Sequence, residues 1–243
     1  MVIIFDISEA QPADAVAIAS LFAHSWTSPF TRLQFGQVDP VQLATSMVPR
    51  IAEQMVKMNS KFIVARHVER QEIAAVAHWT MPDDTDVDAV VEEADQDTVE
   101  RQQFEDEVFR RSLPDRSNKA LVMEFTIGLR QLREQTLQGR RHILLENLAT
   151  HLQYRGMGLA SRLVGWASVL ADDSQLLVYL DTASDNPAAR LYERLGFEEQ
   201  GRHTIEDLRK FAAAEDIENL GCDIKHTHVA FLRFPKNSSN VGS

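Results

Sequence analysis

Apolar and polar positions follow two different periods along this chain, and the switches between them mark its elements. Val2 to Ile7 is a short β-rich run. From Pro12 to Ala23 the apolar residues Ala15, Ile18, Ala19 and Phe22 fall on one side of a helix. Trp26 to Gln37, which mixes proline with aromatic and polar residues, reads as a connection. Pro40 then opens a second helix, because proline suits the first helical position and Asp39 before it can cap the free amides. Leu43, Met47, Ile51 and Met55 share a face of that helix, and Pro49 inside it is expected to kink or divide it. The runs Lys61 to Arg66 and Glu72 to Trp79, separated by a polar turn, predict a hairpin.

Beyond the hairpin the character changes. Between Asp83 and Glu100 stand nine acidic residues and no Lys or Arg, which predicts a solvated surface rather than core. Val99 to Arg111 and Lys119 to Gln138 read as helices. Residues 82–140 are therefore expected to form an insertion, or an elaborated connection, between the third and fourth strands. The last hundred residues are more regular. His142 to Ala149 predicts a strand, Gly158 to Leu170 a helix, and Leu176 to Leu180 a central strand covered on both faces. Pro187 to Arg194 predicts a short helix, with Asn186 as its cap and Gly196 just past its end. Phe197 opens another strand, and His226 to Phe234 alternates as the last one. This order predicts an α/β fold: a mixed central sheet with helices on both faces. Residues 1–235 are expected to form a single domain, and 236–243 a disordered tail.

Composition narrows the class. At 44% hydrophobic and 25% charged, the 243 residues can fill a core. The formal net charge of −11 disfavours general nucleic-acid binding and anionic membrane surfaces. No apolar run is long enough to span a bilayer, and Met1 to Asp6 lacks the basic region of a signal peptide. A single cysteine, Cys222, rules out an internal disulfide. Together these features point to a cytoplasmic location.

The sharpest chemical signal is the strand-to-helix turn Arg155-Gly156-Met157-Gly158-Leu159-Ala160-Ser161. The first amides of a helix lack intrahelical partners and sit at the positive end of its dipole. Gly156 and Gly158 remove side chains that would hold a ligand away from the backbone. Such a turn can cradle a diphosphate, with Arg155 adding a charged contact. A ligand-free structural turn would also satisfy the pattern. So would a dinucleotide-binding turn with Asp181 on a ribose, although Ser161 stands where that motif needs its third glycine.

The segment also resembles motif A of the GNAT superfamily of N-acetyltransferases, Gln/Arg-x-x-Gly-x-Gly/Ala, with Arg155, Gly158 and Ala160 in the defined places. Leu148-Ala149-Thr150 matches the end of that family's fourth strand, and Leu191-Tyr192-Glu193-Arg194-Leu195-Gly196-Phe197 is similar to a second family segment. The resemblance covers residues 142–200. It implies a GNAT-like mixed sheet carrying a helical acidic insertion between strands 3 and 4. It also implies acetyl-CoA as co-substrate, with direct transfer to a small-molecule or peptide amine. By match, Leu148, Ala149 and Thr150 would pair with the pantetheine arm. Arg155, Gly156, Met157, Gly158, Leu159, Ala160 and Ser161 would hold the diphosphate, and Asp185 or Asn186 would touch the coenzyme. Tyr192 would protonate the leaving thiolate.

Glu146, placed by strand alternation on the face of Leu148 and Thr150, is the candidate general base. The usual family base position is occupied here by Leu144, which cannot serve. A non-catalytic acyl-CoA-binding module is the alternative reading, and a homodimer is compatible with either. His78, Trp79, Trp26 and Phe30 are candidates for lining the acceptor pocket, with core packing as their plainer explanation. His226 and His228 share a strand face but lack a third partner for a metal.

Overall fold

The computed structural model describes residues 3–36, 39–82 and 96–236, with the side chains of 96–99 left out. Strand β1 (Phe5–Glu9) leads through a short 3-10 turn at Pro12–Asp14 into α1 (Ala15–Ser25). The stretch expected to be a connection contains a helix, α2 (Pro29–Phe35). Ser28 caps it by accepting from the Thr31 amide, and Pro29 takes its first turn. Helix α3 (Pro40–Met55) is capped by Asp39 through the amides of Val41 and Gln42. Pro49 does not divide it. Pro49 and Thr45, whose carbonyl loses its partner there, are both exposed, so water can satisfy that carbonyl.

Strands β2 (Ser60–His67) and β3 (Ile73–Thr80) form the predicted antiparallel hairpin. Two helices, α4 (Gln96–Ser112) and α5 (Lys119–Leu137), join β3 to β4 (His142–Thr150). Most of the acidic stretch, residues 83–95, lies outside the described residues. The expectation of an inserted piece needs correcting for α5. Its Leu132 and Leu137 pack with Leu144, Leu177, Tyr179, Ala230 and Leu232, so this helix covers part of the central sheet. Helix α6 (Leu159–Ser174), β5 (Leu177–Ala183), α7 (Ala189–Arg194) and β6 (Glu198–Ile205) follow. A 3-10 turn at Leu208–Lys210 and α8 (Ala214–Leu220), neither foreseen, then lead to β7 (His226–Arg233). Of the expected tail, residues 237–243 lie outside the described residues.

The seven strands make one sheet in the order β1-β2-β3-β4-β5-β7-β6. All neighbours are antiparallel except β4 and β5. Helix α6 buries Leu159, Leu163, Val164, Ala167 and Ala171 against one face, where Ile143, Leu145, Val178 and Leu180 meet it. Removing a leucine of this kind from water contributes about 2 kcal/mol. On the opposite face α1 and α3 cover β2 and β3 through Ile18, Phe22, Ile51, Phe62 and Val76, whereas α5 covers β5 and β7. The boundary between these two coverings is the line between β4 and β5.

Candidate active site

That line is where the sheet opens. β4 and β5 pair only through His142 with Leu177, Ile143 with Val178 and Leu144 with Tyr179. Beyond Leu144 and Tyr179 both strands continue without pairing to each other, β4 to Thr150 and β5 to Ala183. On its other edge β4 stays tied to β3, with Leu148 opposite Ala77, Ala149 opposite Val76 and Thr150 opposite Ala75. The β5-facing edge of Leu145 to Thr150 therefore presents backbone groups to a gap. An extended ligand can pair with such an edge as an added strand.

A bulge marks the start of the opening. His78 lies opposite Asn147 and Trp79 opposite Leu145, so Glu146 is the extra residue of β4. This corrects the expected placement of Glu146. The bulge breaks the period of two, so Leu148 turns to the α6 face while Glu146 accepts a 3.0 Å hydrogen bond from Thr80 on the α5 face. There it lines a cavity of about 470 Å³ with Leu144, His142, Arg133 and Glu134.

At the far end of β4, a 3-10 turn at Leu152–Tyr154 leads into the glycine turn. Gly156 and Gly158 both take left-handed backbone angles, φ 78° and 75°. A Cβ on either would meet nothing within 4 Å, so the space above the turn is open. Gly158 is the N-cap of α6 and offers no side chain to its amides. Among the described residues, the amides of Gly156 through Ser161 donate no hydrogen bond. Arg155 and Met157 are exposed beside the turn, while Leu159 is buried and anchors the helix start. Ala160 and Ser161 are partly covered.

Tyr192 sits on α7, on the α6 face, against Phe197 and Phe231. It is 5% exposed, and its hydroxyl makes no hydrogen bond among the described residues. Burial, with a smaller contribution from the Asp181 charge, raises its pKa to about 12, so the phenol keeps its proton at neutral pH. Asn186 is committed locally. Its side chain accepts from the Ala188 amide and donates to Thr182, although the regular helix starts two residues later than expected, at Ala189. Asp185 is exposed and borders a cavity of about 580 Å³ with Phe30 and His226.

Several sequence candidates fall into the core. Trp79 is fully buried, and His78 lies stacked on Phe62 with Nε2 2.9 Å from the Ser60 hydroxyl. Phe30 stacks on His226 at 3.4 Å between ring centres, and Trp26 stays at the surface. Asp181, considered from sequence as a ribose contact, points instead to the α5 face, near His228 and Arg133. No local pattern joins these three, since they lie on β5, β7 and α5.

Residues 119–199 match the sequence family described as "Acetyltransferase (GNAT) domain". Over those residues, a third of the chain, the sequence is similar to GNAT acetyltransferases. That family typically uses an acyl-CoA, commonly acetyl-CoA. Solved GNAT-fold proteins superpose along nearly the whole length. An arylalkylamine N-acetyltransferase 2 from Aedes aegypti is 15% identical, covering 96% of this chain and 99% of its own with a TM-score of 0.61. A mutant agmatine N-acetyltransferase in its apo form is 14% identical over 95% of this chain and 99% of its own, also at 0.61. A protein from Corynebacterium glutamicum ATCC 13032, described as histone acetyltransferase HPA2 and related acetyltransferase, is 20% identical over 97% and 99%, at 0.52. At these identities the likeness establishes the GNAT fold. No curated protein matches the sequence. No helix among the described residues is long and apolar enough to cross a membrane.

Proposed function

We propose that this chain is an acetyl-CoA-dependent N-acetyltransferase that transfers the acetyl group directly to an amine. One observation carries the reading: β4 and β5 part after Leu144 and Tyr179, beside a glycine turn whose amides are unpaired. The gap suits an extended arm, and the turn suits a diphosphate, which is the two-part shape of a coenzyme A ester. The family match and the GNAT fold support acyl transfer as the chemistry.

In this reading Leu148, Ala149 and Thr150 offer backbone groups to the pantetheine arm. Gly156 to Ser161 grip the diphosphate, and Arg155 adds charge at its rim. The thioester supplies a good leaving group; the protein supplies position, which makes a bimolecular step effectively unimolecular. Tyr192, protonated and buried beside the gap, donates its proton to the departing sulfur. Glu146 stands on the α5 side of the opening, where a carboxylate can take the amine proton through water. Asn186 is occupied by its own turn, which leaves Asp185 as the freer coenzyme contact at that end.

The test is release of coenzyme A thiol in the presence of acetyl-CoA and an amine panel of agmatine, 2-phenylethylamine, spermidine and a peptide with a free N-terminus. Turnover of at least one acceptor is expected. Tyr192→Phe should lower kcat about a hundredfold while leaving the Kd for acetyl-CoA within twofold. Tight coenzyme binding with no turnover of any amine would instead support a non-catalytic binding module.

A further inference from the structure

We propose that Asp181 docks the ammonium group of the acceptor on the α5 side of the gap and passes its proton to His228, so the acceptor class is a cationic aliphatic amine. This inference rests on the acetyl-transfer reading above and adds an acceptor-binding residue to it.

The argument begins with register. Leu144 and Tyr179 form the last pair between β4 and β5. Glu146 and Asp181 are each two residues further along their strands. Alternation keeps Asp181 on the face of Tyr179, and the bulge leaves Glu146 on the face of Leu144. Two carboxylates thus flank the mouth of the opening on the same side, one from each strand. Helix α6 closes the other side.

The two carboxylates differ in their surroundings. Glu146 is exposed and already accepts from Thr80. The Asp181 side chain is only 14% exposed, yet its charged contacts are loose: His228 Nδ1 lies 3.4 Å from Oδ1, an Arg133 nitrogen lies 4.0 Å from Oδ2, and the neutral Tyr179 hydroxyl interacts with it from the same strand face. A carboxylate can accept about four hydrogen bonds, and burying one with so few partners is costly. A group bearing several N–H donors and a positive charge supplies what is missing, and a primary ammonium is such a group. Tyr192 feels the same Asp181 charge from the opposite face.

The proton balance closes. The ammonium gives one proton to Asp181, which relays it to Nδ1 of His228 in the tautomer that leaves Nδ1 bare, and remains a carboxylate. The neutral amine then attacks the thioester carbonyl, so a C–N bond forms and the C–S bond breaks. Tyr192 protonates the leaving sulfur, the second proton lost from nitrogen passes through water to Glu146, and exchange with water restores Tyr192 and Glu146. His228 finally returns its proton to water. Other groups face this relay: Tyr179 on β5, His226 on β7, His203 on β6, and Glu124 and Arg133 on α5. Phe125 lies edge-on to His228 at 4.7 Å and shields it.

The experiment compares Asp181→Asn, His228→Gln and Glu146→Gln, using the best acceptor from the amine panel, across pH 6.5 to 9.5. Asp181→Asn is expected to raise the acceptor's KM about tenfold to a hundredfold, with acetyl-CoA affinity by calorimetry unchanged. Its deficit in kcat/KM should be largest at low pH and shrink as the solution itself supplies free amine. His228→Gln should keep the acceptor's KM and change the acidic limb of the kcat profile. A deficit equal at every pH would mean a purely structural role and would overturn the proposal. So would a pH-dependent deficit in Glu146→Gln with none in Asp181→Asn. If Asp181→Asn does not fold, judged by loss of acetyl-CoA binding, the acidic limb of His228→Gln decides. Failure of the wild-type chain to acetylate any amine would instead sink the transfer reading, and this inference with it.

Discussion

At Gly158 the backbone of the fold and the proposed coenzyme site meet in one residue. Its φ of 75° is costly for a residue with a Cβ, by roughly 1–2 kcal/mol. Nothing in the protein would touch an added methyl there, so any further effect comes from the ligand. Gly158→Ala should therefore lose that much stability and, in addition, weaken acetyl-CoA binding at least about tenfold, as expected when a close approach to backbone amides is blocked. Gly221→Ala is the control: its φ is 69° and its surroundings are equally open, but it closes α8, away from the turn. Calorimetric titration with both variants separates backbone strain from loss of the cradle. Matched coenzyme affinities in the two would remove the turn from the site.

At the scale of elements, an ion pair joins α6 to β7 at the end of the sheet where β4 and β5 are still paired. Arg233 on β7 is 4% exposed and makes two bonds to Asp172 on α6, at 2.8 and 2.7 Å. The Arg233 hydrogen bonds hold the Asp172 carboxyl below its ordinary pKa, and the Lys236 amide adds a further bond. Removing one partner of a buried pair strands the other's charge, which costs more than the pair was worth. Asp172→Ala is thus expected to destabilise the fold by about 3 kcal/mol in urea unfolding. Exchanging both partners for apolar residues should cost less. A change below 0.5 kcal/mol in the single variant would show that the joint is solvated and weak.

Over the whole molecule, acid should act through buried histidines before it acts through the carboxylates. Burial, helped by the Arg50 charge, pushes His78 down to about 4. Burial and the neighbouring His228 and His203 push His226 down to about 3. Both folded values lie below the ordinary 6.5, so the unfolded chain binds more protons in this range. Stability is fully present above pH 6.5 and falls as pH drops from there toward 4 and 3, by up to about 1.4 kcal/mol per pH unit for each histidine. Urea midpoints at pH 7, 6 and 5 measure this slope. His78→Gln should flatten it, and an unchanged slope would mean that His78 takes up its proton without unfolding.

Much was legible in the sequence because the relevant forces are local. Hydrophobic period, the Asp39–Pro40 helix start and the Gly156–Gly158 turn marked the elements and the open start of α6, since each depends on residues within one turn or strand. The short helix α2 was missed because its apolar residues Phe30 and Leu33 answer to α5 and α8 rather than to their neighbours in sequence. Tertiary structure alone decided where β4 and β5 part, which side of the sheet Glu146 occupies after its bulge, and that Asp181, His228 and Arg133 meet. Those features come from pairing between strands and packing between distant elements, so no stretch of local sequence encodes them.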